Sequence, residues 1–227
     1  MFSVSRLEAI LATVIVSVLL VPEAAYSQSP LAEDNSFQLE LAAMAKRGGT
    51  IRRVREQTLA ILQTENACSA WFREANPEPS LVLRSLHYEI VVEKASFVFR
   101  IADGQGGKLT KHPWGARSTE NGGRNSNVTL NGNGAFFNSF LPVMELDQSG
   151  TIGRPGGFHW LTIATFKGNT AEAQITILLH ELGHIIGRLP EDDDSWDGRS
   201  SLNTKEVVRH CGEAIRVAAH ESPRGGN

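Results

Sequence analysis

Net charge, cysteine and long apolar runs are all scarce in this sequence. Its 227 residues carry a formal net charge of −3 at pH 7, which gives no electrostatic reason to expect a nucleic-acid partner. Beyond residue 21, no segment of the sequence is apolar enough to cross a membrane. The two cysteines do not form a C-x-x-C motif, which argues against a metal site built from thiolates. We therefore expect neither nucleic acid nor a stable membrane association.

Residues 1–27 have the pattern of a secretory signal peptide. Arg6 supplies a positive charge, residues 9–21 have the length of a signal-peptide apolar region, and Pro22 ends that region. The small residues Ala25 and Ser27 offer a cleavage site. An uncleaved membrane anchor is the alternative. We expect export, either to the periplasm or out of the cell.

The rest of the chain suits one domain at residues 28–221, followed by a disordered tail at 222–227. In an exported protein, Cys68 and Cys211 can pair in only one way. The bridge would close most of the domain into one loop, for which chain-entropy arithmetic gives roughly 5 kcal/mol as an upper figure. Two separate buried thiols are the alternative.

The five residues from His180 to His184 read H-E-x-x-H. Two imidazoles four residues apart lie on one face of a helix, so both can bind one cation. Glu181 is then close enough to act on a water bound by that cation. This pattern is typical of zinc-dependent hydrolases. The alternative is a half-buried helix whose polar stripe carries both histidines.

The sequence around the motif predicts where its helix begins and ends. Asn169 and Glu172 resemble a capping box, with Asn169 as the N-cap. Gly187 follows where a left-handed C-terminal cap is expected, and Pro190 prevents continuation. Apolar residues recur between these ends with a helical period, at Ile175, Leu178, Leu179, Leu182, Ile185 and Ile186. The motif therefore lies near the end of a helix of about 17 residues.

Other segments predict further helices and short strands. The predicted helices are 36–47, 51–74 and 204–220. Gly48 and Gly49 would end the first helix, and a capping box of Asn203 and Glu206 would open the last. The predicted strands are 96–102, 128–130, 134–137 and 158–166. Residues 81–93 fit either a helix or strands.

A strand, a helix with H-E-x-x-H, a glycine turn and a second helix together resemble the zincin superfamily of metallopeptidases. The segment from His180 to Asp192, with Asn203-Thr204 and Cys211, is also similar to a group of uncharacterised secreted bacterial proteins. The resemblance implies an α+β, zincin-like single domain. Such a domain has a small mixed or antiparallel sheet, a metal-binding active-site helix, flanking helices and a Zn²⁺ cofactor.

The chain departs from one branch of that superfamily, the metzincins. Their pattern is H-E-x-x-H-x-x-G-x-x-H/D, and the motif together with Gly187 matches its first part. Pro190 occupies the position of the third ligand, and no methionine follows the motif. The third ligand must therefore come from elsewhere.

Catalytic zinc usually takes three protein ligands and a water, so one more ligand is expected. Gly187 lets the chain reverse after the helix, which brings the acidic segment after Leu189 towards the metal. Asp192 is the preferred ligand, because Pro190 fixes the approach and Asp192 matches the similar bacterial proteins. The open alternatives are Asp193, His210, Glu206, Glu191, Asp194 and Glu213.

The leading hypothesis is a secreted zinc metallopeptidase that acts on a peptide or protein. His180, His184 and Asp192 would hold Zn²⁺, and Glu181 would be the general base. The oxyanion stabiliser stays open among His159, Arg188, Arg209 and His210. Residues 158–166 would be either a substrate-aligning edge strand or a buried strand. The alternative functions are a non-catalytic metal-binding module of the same shape and a zinc amidase for cell-wall or small-molecule substrates.

Overall fold

The structure is a computed structural model that describes residues 30–92, 98–101, 108–111, 114–146, 152–192 and 198–221. These residues form a mixed α+β fold of six helices and nine short strands, which confirms the predicted α+β class. The predicted signal peptide at 1–27 and disordered tail at 222–227 lie outside the described residues and stay predictions. No helix of the described part is both long and apolar enough to span a bilayer.

The first two helices are α1 (Pro30–Ala43) and α2 (Ala45–Gln63). The predicted helix end at Gly48-Gly49 is wrong, since the break falls at Met44 and Ala45, where Ala45 has a φ of 51°. Gly48 lies inside α2 because the two helices cross there. A β-carbon at this position would overlap the carbonyl oxygen of Leu41. Glycine at this point therefore serves close packing and does not terminate a helix.

The predicted helix 51–74 is two helices, because α2 ends at Gln63 and α3 (Ala67–Arg73) begins after Asn66. The side chain of Asn66 accepts a hydrogen bond from the backbone N–H of Ser69, and Ser69 accepts one from the backbone of Asn66. This capping box starts a new helix where the apolar pattern alone predicted continuity.

The segment 81–93, which fits either a helix or strands in the sequence, contains both a helix and a strand. It includes most of α4 (Pro79–Arg84) and then β1 (His87–Val91). Pro79 stands at the start of α4, where its missing N–H costs no hydrogen bond.

The described strands form two small mixed sheets and one two-stranded ribbon. The remaining strands are β2 (Val98–Ile101), β3 (Lys108–Lys111), β4 (Ala116–Ser118), β5 (Asn127–Asn131), β6 (Phe140–Leu146), β7 (Ile152–Trp160), β8 (Thr162–Ile163) and β9 (Phe166–Lys167). The first sheet has the order β1-β5-β4, with β1 parallel and β4 antiparallel to β5. The second has the order β3-β2-β6-β7, and β8 pairs with β9.

The strand predictions are confirmed in part. Strands occur within 96–102 and over 128–130, as β2 and β5. The strand predicted at 134–137 is wrong: these residues form turns, and Phe136 is buried by packing into the core. The single strand predicted at 158–166 is divided among β7, β8 and β9.

Two long helices complete the described fold, α5 (Ala171–Ile185) and α6 (Arg199–His220). The N-cap of α5 is Thr170, one residue after the predicted Asn169, and its hydroxyl accepts from the backbone N–H of Ala173 at 3.3 Å. Helix α6 begins at Arg199 and not at residue 204. Asn203 does not cap it, because it lies four residues after the start of the helix, and its side-chain NH₂ donates to the preceding loop.

Helix α5 is the centre of the core. Every residue from Ala173 to Ile185 is buried, and α5 packs against α2, α6 and β4. The predicted disulfide between Cys68 and Cys211 is present and joins α3 to α6. The surroundings of α5 are therefore fixed by packing on several sides and by one covalent bond between two neighbouring helices.

Candidate metal centre

His180 and His184 lie side by side on the last turns of α5. Their Nε2 atoms are 2.9 Å apart, and their ring centroids are 4.7 Å apart. Both residues are buried, at 6 % exposure each. The spacing of four residues places the rings on one helix face, and the surrounding core fixes their direction. The helix therefore presents two metal-binding nitrogens at one point.

The chain turns back immediately after α5. Gly187 has a φ of 70°, in the left-handed region where glycine carries no steric penalty. The backbone N–H groups of Arg188 and Leu189 then donate to the carbonyl of Gly183, at 2.8 and 3.1 Å. This closes the helix end and returns the next residues towards its histidine face.

This turn places the side chain of Asp192 next to the two imidazoles. Its Oδ2 lies 2.9 Å from Nε2 of His180, and its Oδ1 lies 3.5 Å from Nε2 of His184. The side chain is partly buried, with 29 % exposure. The structure thus brings together the three residues that the sequence predicts as metal ligands.

The geometry of these three donors fits a small divalent cation. A tetrahedral zinc ion with bonds of about 2.0–2.1 Å separates its ligand atoms by about 3.3 Å. The two Nε2 atoms are 2.9 Å apart, and each lies near a different oxygen of Asp192, at 2.9 Å from Oδ2 for His180 and 3.5 Å from Oδ1 for His184, so the donors are spaced on the scale of that value. Two imidazole nitrogens and one carboxylate oxygen are also a donor set that zinc commonly takes. The group of His180, His184 and Asp192 can therefore hold a metal ion.

Glu181 is buried beside this group, at 5 % exposure. The hydroxyl of Ser118, in β4, donates to its Oε2 at 2.8 Å. Burial raises the pKa of Glu181, while the neighbouring His180 and the Ser118 hydrogen bond oppose part of that rise. A carboxyl with a raised pKa is suited to accept a proton and release it again.

The charges of the ligand group depend on one another. Burial alone would raise the pKa of Asp192, but hydrogen bonds from His180, His184 and Ser200 hold it well below its usual range. Burial would likewise lower the pKa of His184, but the hydrogen bond to Asp192 and the nearby carboxylates raise it. Without a metal, the site therefore stabilises an anionic Asp192 and a protonated His184. A cation bound by these atoms would replace the proton.

An open cleft of about 380 Å³ lies over the three residues. Strand β4 forms one side of it, and the start of α6 reaches another side through Ser200 and Thr204. The other lining residues of note are Trp114, Arg117, Glu120, Ile163, Ile177 and Glu191. The guanidinium of Arg117 lies 4.7 Å from the ring centroid of Trp114. A substrate in this cleft would meet both apolar and charged side chains next to the metal group.

None of the alternative ligands that the structure describes belongs to the three-residue group. His210 stacks on Trp71 with ring centroids 4.8 Å apart, and Glu206 pairs with Arg209 at 2.6 Å. Glu191 lines the cleft, although the three-residue group does not include it. Glu213 is exposed on α6. Asp193 and Asp194 fall in the segment 193–197, which the structure does not describe.

The candidate oxyanion stabilisers do not line the described cleft. Arg188 pairs with Glu74 at 2.6 Å and lies 4.7 Å from the ring centroid of Trp71. Arg188, Arg209, His210 and His159 are absent from the described lining of the cleft. Arg117 is the arginine that lines it, and the sequence analysis did not identify it.

Three further polar residues lie at the site, and the sequence predicted a site role for none of them, although Asn203 and Thr204 are part of the resemblance to secreted bacterial proteins. Ser118 contacts Glu181, Thr204 contacts His180, and Asn203 contacts Asp192. Each of these residues lies far in sequence from its partner or on the other side of a loop. No short sequence motif therefore identifies it as part of the site. Asn203 was predicted to be a helix N-cap, but its side chain instead donates hydrogen bonds to the loop that carries Asp192.

Comparison with known proteins identifies no relative of the chain. No protein-family model, no curated protein and no solved structure matches the chain.

Proposed function

We propose that this protein is an exported zinc-dependent metallopeptidase of the zincin type. The observation that carries the proposal is the convergence of three donor atoms, from His180, His184 and Asp192, with Glu181 buried alongside. A helix that only fills the core does not need two imidazoles that converge with a carboxylate from the following loop. The disulfide is consistent with export, because such bonds persist in oxidising compartments.

The roles of the residues follow from their positions. His180 and His184 would bind zinc through Nε2, and Asp192 through a carboxylate oxygen. Zinc, when bound, supplies the Lewis acidity that activates water at neutral pH. Glu181 would accept the proton of the attacking water and pass it to the leaving nitrogen. Ser118 orients the Glu181 carboxylate through its hydrogen bond to Oε2.

The position of β4 supports a peptide as the substrate. Strand β4 lines the cleft and is the end strand of its sheet, paired on one side with β5. An extended peptide can pair through backbone hydrogen bonds with the outer edge of such a strand, along which the described residues place no other strand. We therefore assign the substrate-aligning role to residues 116–118, in place of the predicted segment 158–166. In the latter segment, Ile163 of β8 is the residue that reaches the cleft.

Zinc loading and a peptide library test the proposal directly. The zinc-loaded protein is expected to cleave a mixed peptide library, to lose activity with a chelator and to regain it with Zn²⁺. Replacing Glu181→Gln should leave zinc binding intact and slow cleavage by at least about 100-fold, which is the usual contribution of a general base. Equal cleavage by E181Q would contradict the assigned role.

The same experiment separates the alternative functions. Zinc binding without cleavage of any peptide would favour a non-catalytic metal-binding module. Cleavage of muropeptides alone would favour a cell-wall amidase.

A further inference from the structure

Helix α6 contacts His180 on the side of the ring opposite to Nε2. Nε2 of His180 points to His184 and Asp192, so Nδ1 of the same ring points away from them. Nδ1 lies 3.1 Å from the hydroxyl oxygen of Thr204. That hydroxyl also lies 2.9 Å from the backbone carbonyl of Ser200, one helical turn earlier.

These two contacts together determine the direction of the hydrogen bond to His180. A threonine hydroxyl has one hydrogen, and a carbonyl can only accept. Thr204 therefore donates to Ser200 and accepts from the Nδ1–H of His180. Nδ1 therefore keeps its proton when a cation displaces the Nε2 proton that His180 shares with Asp192, and this leaves the Nε2 lone pair for the metal. Thr204 selects the tautomer that can bind a cation.

Asn203 has an equivalent role for the third ligand. Its side-chain NH₂ donates to Oδ1 of Asp192 at 2.6 Å and to the backbone carbonyl of Pro190 at 2.8 Å. The residue is 4 % exposed, so water cannot readily replace either bond. One amide group therefore fixes both the loop that carries Asp192 and the orientation of its carboxylate, with Oδ2 directed towards His180.

We propose that Asn203 and Thr204 are the positioning residues of the metal centre, acting from α6 on ligands that α5 and the loop after it supply. The inference rests on the proposed zinc site. Partners in this position fix the orientation of the ligands before the metal binds, and removing one typically lowers metal affinity by about 10- to 100-fold. A role in folding alone would leave zinc affinity unchanged in a variant that still folds.

The test compares variants of neighbouring residues on α6 by competition with a chromophoric zinc chelator at neutral pH. Thr204→Val keeps the shape of the side chain and removes the hydroxyl, whereas Thr204→Ser keeps the hydroxyl. We expect T204V and Asn203→Ala each to bind zinc about 10- to 100-fold more weakly than the wild type. We expect T204S to stay near the wild-type value. Lys205→Ala, exposed on the same turn, is the matched control and should bind like the wild type.

Circular dichroism and thermal unfolding of the metal-free variants establish that each is folded before its affinity is compared. Should N203A fail to fold, the comparison of T204V with T204S still decides the role of the hydroxyl. Wild-type affinity in folded T204V would overturn the inference and leave the proposed zinc site intact. A wild-type protein that binds no zinc would overturn the proposed function itself, and this inference with it.

Discussion

At the residue scale, Glu181 differs from a free glutamate in its burial and in its raised pKa. It is buried next to two imidazoles and a second carboxylate, with one hydroxyl as its side-chain partner. Burial of a carboxyl without a metal favours the protonated form. The same burial in a zinc-loaded site would place the carboxylate beside a cation, where its charge is stabilised. The residue is therefore suited to the metal-loaded state of the protein more than to the metal-free state.

This difference predicts how the stability of the metal-free protein depends on pH. Burial raises the pKa of Glu181 above its ordinary value of 4.5, so the unfolded chain releases this proton at a lower pH than the folded chain does. The contribution of Glu181 to the free energy of unfolding therefore falls as pH rises above about 4.5, until the folded-state pKa is passed. Glutamine cannot ionise, so E181Q should be the more stable protein at neutral pH.

Denaturant unfolding of metal-free wild type and E181Q at several pH values measures this effect. The advantage of E181Q should shrink as pH falls and should level off below about 4.5. Asp192 and the histidines titrate in both proteins, so the difference reports the ionisation of Glu181 together with its coupling to these neighbours. A difference that stays constant across the pH range would contradict the assigned burial of Glu181.

At the scale of elements, the site depends on the end of α5 and the turn that follows it. Gly183 lies inside the motif, and a β-carbon there would lie 2.6 Å from Cδ1 and 2.7 Å from Cγ of Leu189. Leu189 is buried at 3 % exposure, three residues before Asp192. The absence of a side chain at Gly183 therefore lets the returning chain pack against the helix that carries the histidines.

Two glycine substitutions in helices should have opposite effects. Gly49→Ala, in α2, meets no atom within 4 Å and should stabilise the protein by about 0.5–1 kcal/mol through its better helix propensity. Gly183→Ala should destabilise it by about 1–3 kcal/mol, because the new methyl displaces Leu189. Thermal and denaturant unfolding measure both changes. Stabilisation by G183A similar to that by G49A would contradict the described packing of the turn.

The sequence was sufficient to predict the elements whose signals are local. The period of α5, the left-handed Gly187 and the return of Asp192 all depend on neighbouring residues, and the structure shows each of them. The predicted start of α6 was wrong because the N-cap residue, Gly198, has no side chain that would mark a helix start in the sequence. Asn203 resembled an N-cap because asparagine is favoured there, but in the structure its side chain contacts Asp192.

Long-range pairing could not be predicted in the same way. Strand β4 has three residues, too few for an alternating pattern, yet it supplies Ser118 to Glu181 and one side of the cleft. Its place is fixed by antiparallel pairing with β5, which in turn pairs in parallel with β1. No spacing in the sequence encodes that order of strands.

At the scale of the whole molecule, the disulfide joins α3, the third helix of the described fold, to α6, the last. Cys68 and Cys211 are both buried, and the bond closes 143 residues of chain that include the sheets and α5. It also secures α6, which carries Asn203 and Thr204. A cross-link that closes so long a loop restricts the unfolded chain strongly.

Removing the disulfide should therefore destabilise the protein as a whole. The double variant Cys68→Ala with Cys211→Ala is expected to lose about 2–5 kcal/mol in free energy of unfolding. Urea unfolding with and without reductant provides the control, since reductant should weaken the wild type and leave the double variant unchanged. Equal stability of oxidised wild type and double variant would show that the bond contributes nothing to the fold.

The claim on which all of these proposals depend is that one divalent ion is bound by His180, His184 and Asp192. Anomalous diffraction at the zinc edge, from crystals of the zinc-loaded protein, tests it most directly. We predict one strong peak about 2.0–2.2 Å from Nε2 of each histidine and from a carboxylate oxygen of Asp192. A zinc-loaded crystal with no peak at that position, or with its zinc bound only by other residues, would contradict the account.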